Sequence, residues 1–169
     1  DNYFTNSPLE ITSNVNKNHL VAKAAKQYVF TIGALIGDHE QLYTDKKREL
    51  PVDLPYPVSY TRTITVNIPK GYKILNPEAT RMESEYVDRN LVSLVSFKSD
   101  YILITDRKNG NKLVVTVMEK YPKTHFPVAD YERFRQVVNT GADFNKVAIL
   151  LEKTNSGGRK EKPKTIAKK

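Results

Sequence analysis

The sequence predicts a mainly β protein, an antiparallel two-sheet β-sandwich of about eight or nine strands with one short helix near the C-terminus. Several segments alternate apolar and polar residues with a period of two, as half-buried strands do. Only one segment has clear helical spacing. Apolar residues make up about 37% of the chain when Gly is counted and Tyr is not, against roughly 45–50% in most globular proteins. This low fraction favours sheets with one face in water.

The N-terminal part contains two predicted strands, residues 9–15 and 27–33. The second strand places three large apolar side chains on one face, because side chains alternate along a strand: Tyr28, Phe30 and Ile32. Residues 20–26 between them favour a helix but are few, so their structure is left open.

An edge strand is predicted for residues 48–55. Leu50, Val52 and Leu54 alternate with polar residues and proline. Proline has no N–H to donate to a neighbouring strand, so Pro51 and Pro55 confine this segment to the edge of a sheet. Proline at an edge also protects the sheet from aggregation.

The clearest strand pattern covers residues 62–68. Ile64, Val66 and Ile68 alternate with Thr63, Thr65 and Asn67. The apolar side of this strand is predicted to face the core, and the Thr side to face water.

A hairpin is predicted for residues 101–118, with Asn109 and Gly110 as a two-residue loop of type I′. Such a loop pairs Ile104 with Val115, and Ile102 with Val117.

The rest of the domain is predicted to contain three more strands and the helix. The strands cover residues 81–87, 91–97 and 146–151. Residues 129–144 have the helical spacing, with apolar or aromatic residues at steps of three and four. Asp130 is the candidate cap. Gly141 is expected to end the helix early, after one to three turns.

Composition excludes several chemistries. The chain has no Cys, and therefore no thiol nucleophile, disulfide or thiolate zinc site. No apolar run reaches the roughly 18 residues of a membrane-spanning helix. The sequence opens at Asp1 without Met or a signal peptide, which suggests a mature or excised fragment.

The positive charge is concentrated at the C-terminus. Residues 154–169 carry +5 of the formal net charge of +8, which leaves +3 on residues 1–153. We expect residues 1–153 to form one β-sandwich domain and residues 154–169 to form a basic, disordered tail. Weak, non-specific contact of this tail with phosphate is the basis of a nucleic-acid alternative.

No catalytic, cofactor or metal motif is present in the sequence. His19, His39 and His125 belong to no spaced set of metal ligands. Glu83 and Glu85 fall on one side of a strand, where a solvated face explains them better than acid–base chemistry. We therefore expect a non-catalytic protein without a cofactor.

Tyrosine is abundant, with ten copies, and two clusters lie at predicted strand ends. Exposed tyrosine is favoured at recognition surfaces, although rings that cap the open ends of the sandwich explain the clusters better. The candidate interaction residues are Tyr56, Tyr60, Tyr121, His125 and Phe126.

Four segments resemble a module of uncharacterised function that follows the transglutaminase-like core in bacterial cell-envelope proteins. They are residues 28–37 (YVFTIGALIG), 48–57 (RELPVDLPYP), 64–72 (ITVNIPKGY) and 131–153. The resemblance implies a C-terminal β-sandwich located in the periplasm or at the cell surface. The Cys-His-Asp set of that family belongs to its core, so no catalytic residue carries over to this chain.

We therefore expect an accessory domain that packs against a transglutaminase-like core or binds a protein, peptide or glycan. The alternatives are a stand-alone hydrolase or transferase whose site is assembled only in the fold, and the weak nucleic-acid binder.

Overall fold

The structure, a computed structural model, describes residues 18–44, 46–106 and 110–154. This part of the chain contains one α-helix, α1 (Tyr131–Phe144), and ten strands. The strands are β1 (Val21–Ala24), β2 (Gln27–Phe30), β3 (Val52–Asp53), β4 (Val58–Asn67), β5 (Tyr72–Ile74), β6 (Met82–Val87), β7 (Ser93–Ile104), β8 (Lys112–Tyr121), β9 (His125–Phe126) and β10 (Ile149–Lys153).

All strand pairs are antiparallel. The first sheet has the order β1-β2-β10-β5, and the second has the order β4-β8-β7-β6. A third, two-stranded sheet pairs β3 with β9. The predicted mainly β class, with one helix near the C-terminus, is confirmed. The predicted strand at residues 9–15 lies outside the described residues.

The second sheet follows the alternation seen in the sequence. Along β4, Thr63 and Thr65 are exposed, whereas Ile64 and Val66 are partly buried in the core. The strand begins earlier than predicted, at Val58, because β8 pairs with it along the whole of its length. The prediction for residues 62–68 is confirmed.

The predicted loop and register of the β7–β8 hairpin are wrong. Ile104 pairs with Lys112, and Val115 pairs with Tyr101, so the connection runs from residue 105 to residue 111. Gly110 has the positive φ expected of a turn residue, whereas Asn109 lies outside the described residues. Residues 101–104 are apolar at every position, so their pattern does not show which side chains face the core. Phe97 is buried in the same continuous strand and sets that orientation.

The predicted strand at residues 91–97 is the first part of β7, which begins two residues later. Leu91 has a φ of +61° and closes the turn that starts at Asp88. The Asp88 N–H donates to the Val92 carbonyl, and the Asp88 carboxylate accepts hydrogen bonds from the backbone N–H groups of Asn90 and Val92. A left-handed residue after a tight turn is a common way to join two strands.

The strand predicted at residues 27–33 ends at Phe30, and a 3₁₀ helix follows over Ile32–Ile36. Gly33 explains the change. A Cβ atom at this position would lie 1.7 Å from the backbone oxygen of Phe144, and the Gly33 N–H donates to the oxygen of Val147. The chain therefore turns where it crosses the end of α1, and only glycine permits that approach.

Helix α1 is longer than predicted and continues through Gly141 to Phe144. Gly141 faces the interior, where a Cβ atom would lie 2.8 Å from the His39 ring. Close packing therefore explains the glycine, rather than termination of the helix. Asp130 occupies the N-cap position but makes no capping hydrogen bond with its side chain.

The two four-stranded sheets and α1 share one hydrophobic core. Helix α1 contacts β6 and β7, and its Phe134 and Val137 are buried with Val95 and Phe97 of β7. The proline-containing segment predicted as an edge strand contributes only the two residues of β3. No helix in the described part of the chain has the length and apolar character needed to cross a membrane.

Candidate functional site

Three of the five predicted interaction residues line one groove. Tyr56, Tyr60 and Tyr121 border a cavity of about 630 Å³ at one end of the second sheet. Tyr56 is 64% exposed and Tyr60 is 44% exposed, whereas Tyr121 is partly buried. We call this cavity the tyrosine groove.

The tyrosine groove continues the inner face of β4 and β8 beyond the core. On β8, Leu113, Val115 and Val117 point inward and are fully buried. The same parity places Glu119 and Tyr121 inward at the end of the strand, where helix α1 and residues 38–42 form the opposite wall. Apolar side chains form much of the floor: Leu42, Val52, Leu54, Phe134 and Val138.

Glu119 is the buried charge of this groove, with 3% of its side chain exposed. Its Oε2 atom accepts a hydrogen bond from Nε2 of His39 at 2.9 Å, and its Oε1 atom accepts one from the guanidinium of Arg62. Burial alone raises the pKa of Glu119, but these two cationic partners outweigh it and hold the pKa below its ordinary value of 4.5. Glu119 is therefore ionised at neutral pH.

Both ring nitrogens of His39 face acceptors. Nδ1 lies 3.1 Å from the Gly37 carbonyl, and Nε2 faces the Glu119 carboxylate. Neither partner can donate a hydrogen bond, so this geometry favours a proton on each nitrogen. The hydrogen bond to Glu119 accordingly raises the pKa of His39 above 6.5, although burial and the nearby Arg62 lower it in part. With a proton on each nitrogen, the ring has no lone pair with which to accept a proton from a substrate.

His39 lies in residues 37–44, a segment without a strand or an α-helix that hydrogen bonds hold in place. The His39 N–H donates to Oδ1 of Asn145, whose amide nitrogen donates to the Gly37 carbonyl. The Leu42 N–H donates to Oδ1 of Asn139 on α1. The His39 ring also meets Phe97 edge to face, with the ring centroids 6.4 Å apart.

Three further polar side chains of the tyrosine groove, Arg48, Arg62 and Tyr121, also contact other groups of the protein. Arg48 donates to the carbonyls of Leu50 and Pro51, and its guanidinium lies over the Tyr131 ring. Arg62 lies over the ring of Tyr60. Burial and the Glu119 carboxylate, 3.5 Å from the Tyr121 hydroxyl, raise the pKa of Tyr121.

The remaining two predicted interaction residues lie outside the lining of this groove. His125 is exposed, and its Nδ1 atom lies 2.6 Å from the Asp53 carboxylate on the paired strand β3. Phe126 is fully buried between Phe134 and Tyr86, so it is a core residue rather than a surface residue. Alternation along β9 places these neighbours on opposite sides. Within the described residues, no three His, Asp or Glu side chains form a group that could hold a metal ion.

The comparison with protein families gives a match over residues 26–151 to the Domain of Unknown Function with solved-structure structure (DUF3858). The chain belongs to the DUF3858 family. The coarser part of the resemblance, a domain of uncharacterised function, is thereby confirmed. A search of curated proteins finds no match of significance.

A similar solved structure is the crystal structure of a "putative protease" from Parabacteroides distasonis. The sequences are 20% identical, and the TM-score is 0.45. The match covers 65% of this DUF3858 chain and 19% of the other protein, so the chain spans about a fifth of that protein's length.

The charged cluster of the DUF3858 domain escaped the sequence analysis. His39, Arg62 and Glu119 are far apart in the chain and form no motif, so only the fold brings them together. One signal was available. The inward alternation of β8 continues through residue 119 and therefore places a carboxylate on the buried face.

Proposed function

We propose that this DUF3858 domain is a non-catalytic accessory module that packs against a partner protein domain through the tyrosine groove. The observation that carries the proposal is the exposure of Tyr56 and Tyr60 beside an apolar floor. Exposed tyrosine next to buried apolar surface is typical of protein recognition sites, since the ring offers contact area at a low cost in conformational entropy.

The polar groups of the groove favour a protein partner over a glycan. A glycan presents many hydroxyl groups, and each needs a hydrogen-bond partner when it loses water. Glu119, His39 and Arg48 already direct their hydrogen bonds to other groups of the domain. The apolar floor and the tyrosine rings better match apolar side chains of a protein.

The charge cluster supports the non-catalytic part of the proposal. A general base needs a free lone pair within reach of the substrate. Both ring nitrogens of His39 face acceptors within the domain, and both Glu119 oxygens accept hydrogen bonds, from His39 and from Arg62. These groups fasten residues 37–44 to strands β4 and β8, which is a structural task.

The proposed partner is a transglutaminase-like core, in the same chain or in another envelope protein. The resemblance of residues 28–37, 48–57, 64–72 and 131–153 to the module that follows such cores supports this partner. It also supports a location in the periplasm or at the cell surface.

The test is to mix the chain with an isolated transglutaminase-like core and to measure co-elution by size-exclusion chromatography. We expect a complex that the double variant Tyr56→Ala/Tyr60→Ala weakens at least tenfold in a calorimetric titration. Ile102→Ala/Ile104→Ala is the matched control, because those residues are 66% and 43% exposed at the other end of the sheet. If the core does not associate and is fully stable and active alone, the docking role is excluded.

A hydrolase or transferase site is the second candidate, since an acid, an imidazole and a phenol converge in the tyrosine groove. Its test is the turnover of p-nitrophenyl acetate and of an aminoacyl p-nitroanilide. Turnover that His39→Gln and Glu119→Gln both abolish in folded protein would replace the accessory role with an enzymatic one.

A further inference from the structure

A lysine-rich cleft adjoins an apolar recess at one end of the first sheet, away from the tyrosine groove. The two cavities share Tyr28 and Tyr72 in their walls. These rings meet edge to face, with their centroids 5.8 Å apart. A ligand that lies across the tyrosine pair therefore contacts both cavities.

The apolar recess has a volume of about 400 Å³, within the usual range of ligand pockets. Besides the tyrosines, mainly apolar side chains from both four-stranded sheets and the adjoining turn line it: Val21, Phe30, Val66, Pro69 and Leu151. Val21 is 48% exposed at its rim, so the recess opens to solvent.

The neighbouring cleft, of about 660 Å³, brings together four lysines: Lys23, Lys26, Lys73 and Lys153. The β1–β2 hairpin, strand β5 and the end of β10 bring these side chains to the same rim. Glu152 is the single acid among the described lining residues, and it lies 3.4 Å from the Lys73 ammonium. Within residues 18–44, 46–106 and 110–154 the other three lysines form no ion pair, so the rim carries excess positive charge.

We propose that this end of the first sheet binds an anionic amphiphile, a molecule with a phosphate or carboxylate head on an apolar chain. The lysines complement the charge of the head, and the recess removes the chain from water. Lysine ammonium groups act as mobile point charges, which suits a head of variable orientation. A polyanion without a chain leaves the recess unfilled, and a neutral chain leaves the lysines without a counter-charge.

The test uses octyl phosphate as the probe, in a calorimetric titration and in NMR spectra of the Tyr28 and Tyr72 rings. We expect octyl phosphate to bind at least tenfold more tightly than inorganic phosphate, which lacks the chain, or octyl glucoside, which lacks the charge. Binding is expected to weaken between about 0.1 M and 1 M salt, because the screening length falls from about 10 Å to about 3 Å.

Two variants separate the head from the chain. Lys23→Gln/Lys26→Gln is expected to weaken octyl phosphate about tenfold while leaving octyl glucoside unchanged. Val21→Asp is expected to weaken both, since it places a charge at the rim of the recess. The control is Lys46→Gln/Lys47→Gln, which removes the same charge from exposed lysines elsewhere in the chain.

Sedimentation with vesicles identifies the source of the ligand. Binding to phosphatidylglycerol but not phosphatidylcholine vesicles indicates a membrane surface, and binding of octyl phosphate alone indicates a free amphiphile. The proposal is overturned if octyl glucoside binds as tightly as octyl phosphate, if the control lysine pair matters equally, or if neither probe binds. It is also overturned if oligothymidylate competes fully with octyl phosphate and its binding is lost in Lys23→Gln/Lys26→Gln. That result would indicate a nucleic-acid surface.

Discussion

Replacement of Glu119 by Gln tests whether the charge cluster holds the tyrosine groove together. Gln has nearly the same size, so the change leaves no cavity. One carboxylate oxygen becomes an amide nitrogen, which can only donate. An N–H of either His39 or Arg62 then faces a donor, and both cations lose their counter-ion.

The magnitude follows from the burial of the cluster. Removing one partner of a buried ion pair costs about 3–5 kcal/mol, because the other partner stays buried without compensation. The Arg62 side chain is 30% exposed and can turn towards water, and His39 can lose its proton. We therefore expect a loss of about 3 kcal/mol at pH 6, at the lower end of that range. This corresponds to a fall of about 6–12 °C in Tm.

The loss depends on pH in a direction that the pKa shifts determine. The folded protein raises the pKa of His39, so its stabilisation is complete below 6.5 and disappears as the pH rises through the folded pKa. The folded protein lowers the pKa of Glu119, so its stabilisation is present above 4.5 and disappears as the pH falls through the folded pKa. The difference between wild type and Glu119→Gln is therefore largest between pH 4.5 and 6.5.

Urea unfolding followed by far-UV circular dichroism measures the free energy of unfolding of both proteins at pH 4, 6 and 9. Glu83→Gln is the matched control, since Glu83 forms an exposed pair with Lys98, and we expect a change close to experimental error. A loss below about 1 kcal/mol at pH 6 would refute this account of the cluster. A loss that does not vary with pH would refute the role given to His39.

Three further substitutions test the packing around the groove and one turn. Gly33→Ala is expected to cost more than about 4 kcal/mol in urea unfolding, because the new Cβ atom collides with the Phe144 backbone. Gly141→Ala gains helix propensity but displaces the His39 ring; we expect a net loss of about 1–2 kcal/mol and, by NMR titration, a His39 pKa nearer to 6.5. Leu91→Asn is expected to stabilise by up to about 1 kcal/mol in thermal unfolding, since Asn tolerates the left-handed backbone at this position.

The sequence predicted those elements in which one face is apolar and the other polar. Strand β4 is the clearest case, because Thr63 and Thr65 set its parity without ambiguity. Residues 101–104 are apolar at every position, so neither register nor loop length followed from them. The register there depends on Phe97, which joins the core only after residues distant in sequence have assembled.

Glycine shows the same limit. In the sequence, Gly141 has the character of a helix terminator, because glycine has low helix propensity. In the fold it provides the space into which His39 fits, a reason that requires the position of residues 37–44. The tyrosines of the candidate site were predictable, because they are numerous and lie at strand ends. Its charge cluster was not, because Arg62 and His39 lie 57 and 80 residues from Glu119 in the sequence.

The groove and the charge cluster have one physical origin. Strands β4 and β8 are ten residues long, and the inner face at one end of this pair borders the tyrosine groove rather than the closed core. An apolar residue at position 119 would have extended the core. A carboxylate there instead requires cations, and the cations available come from β4 and from a segment without regular structure. Residues 37–44 are thereby held at the groove wall, so the exposure of Tyr56 and Tyr60 opposite them depends on the same ion pairs that stabilise the fold.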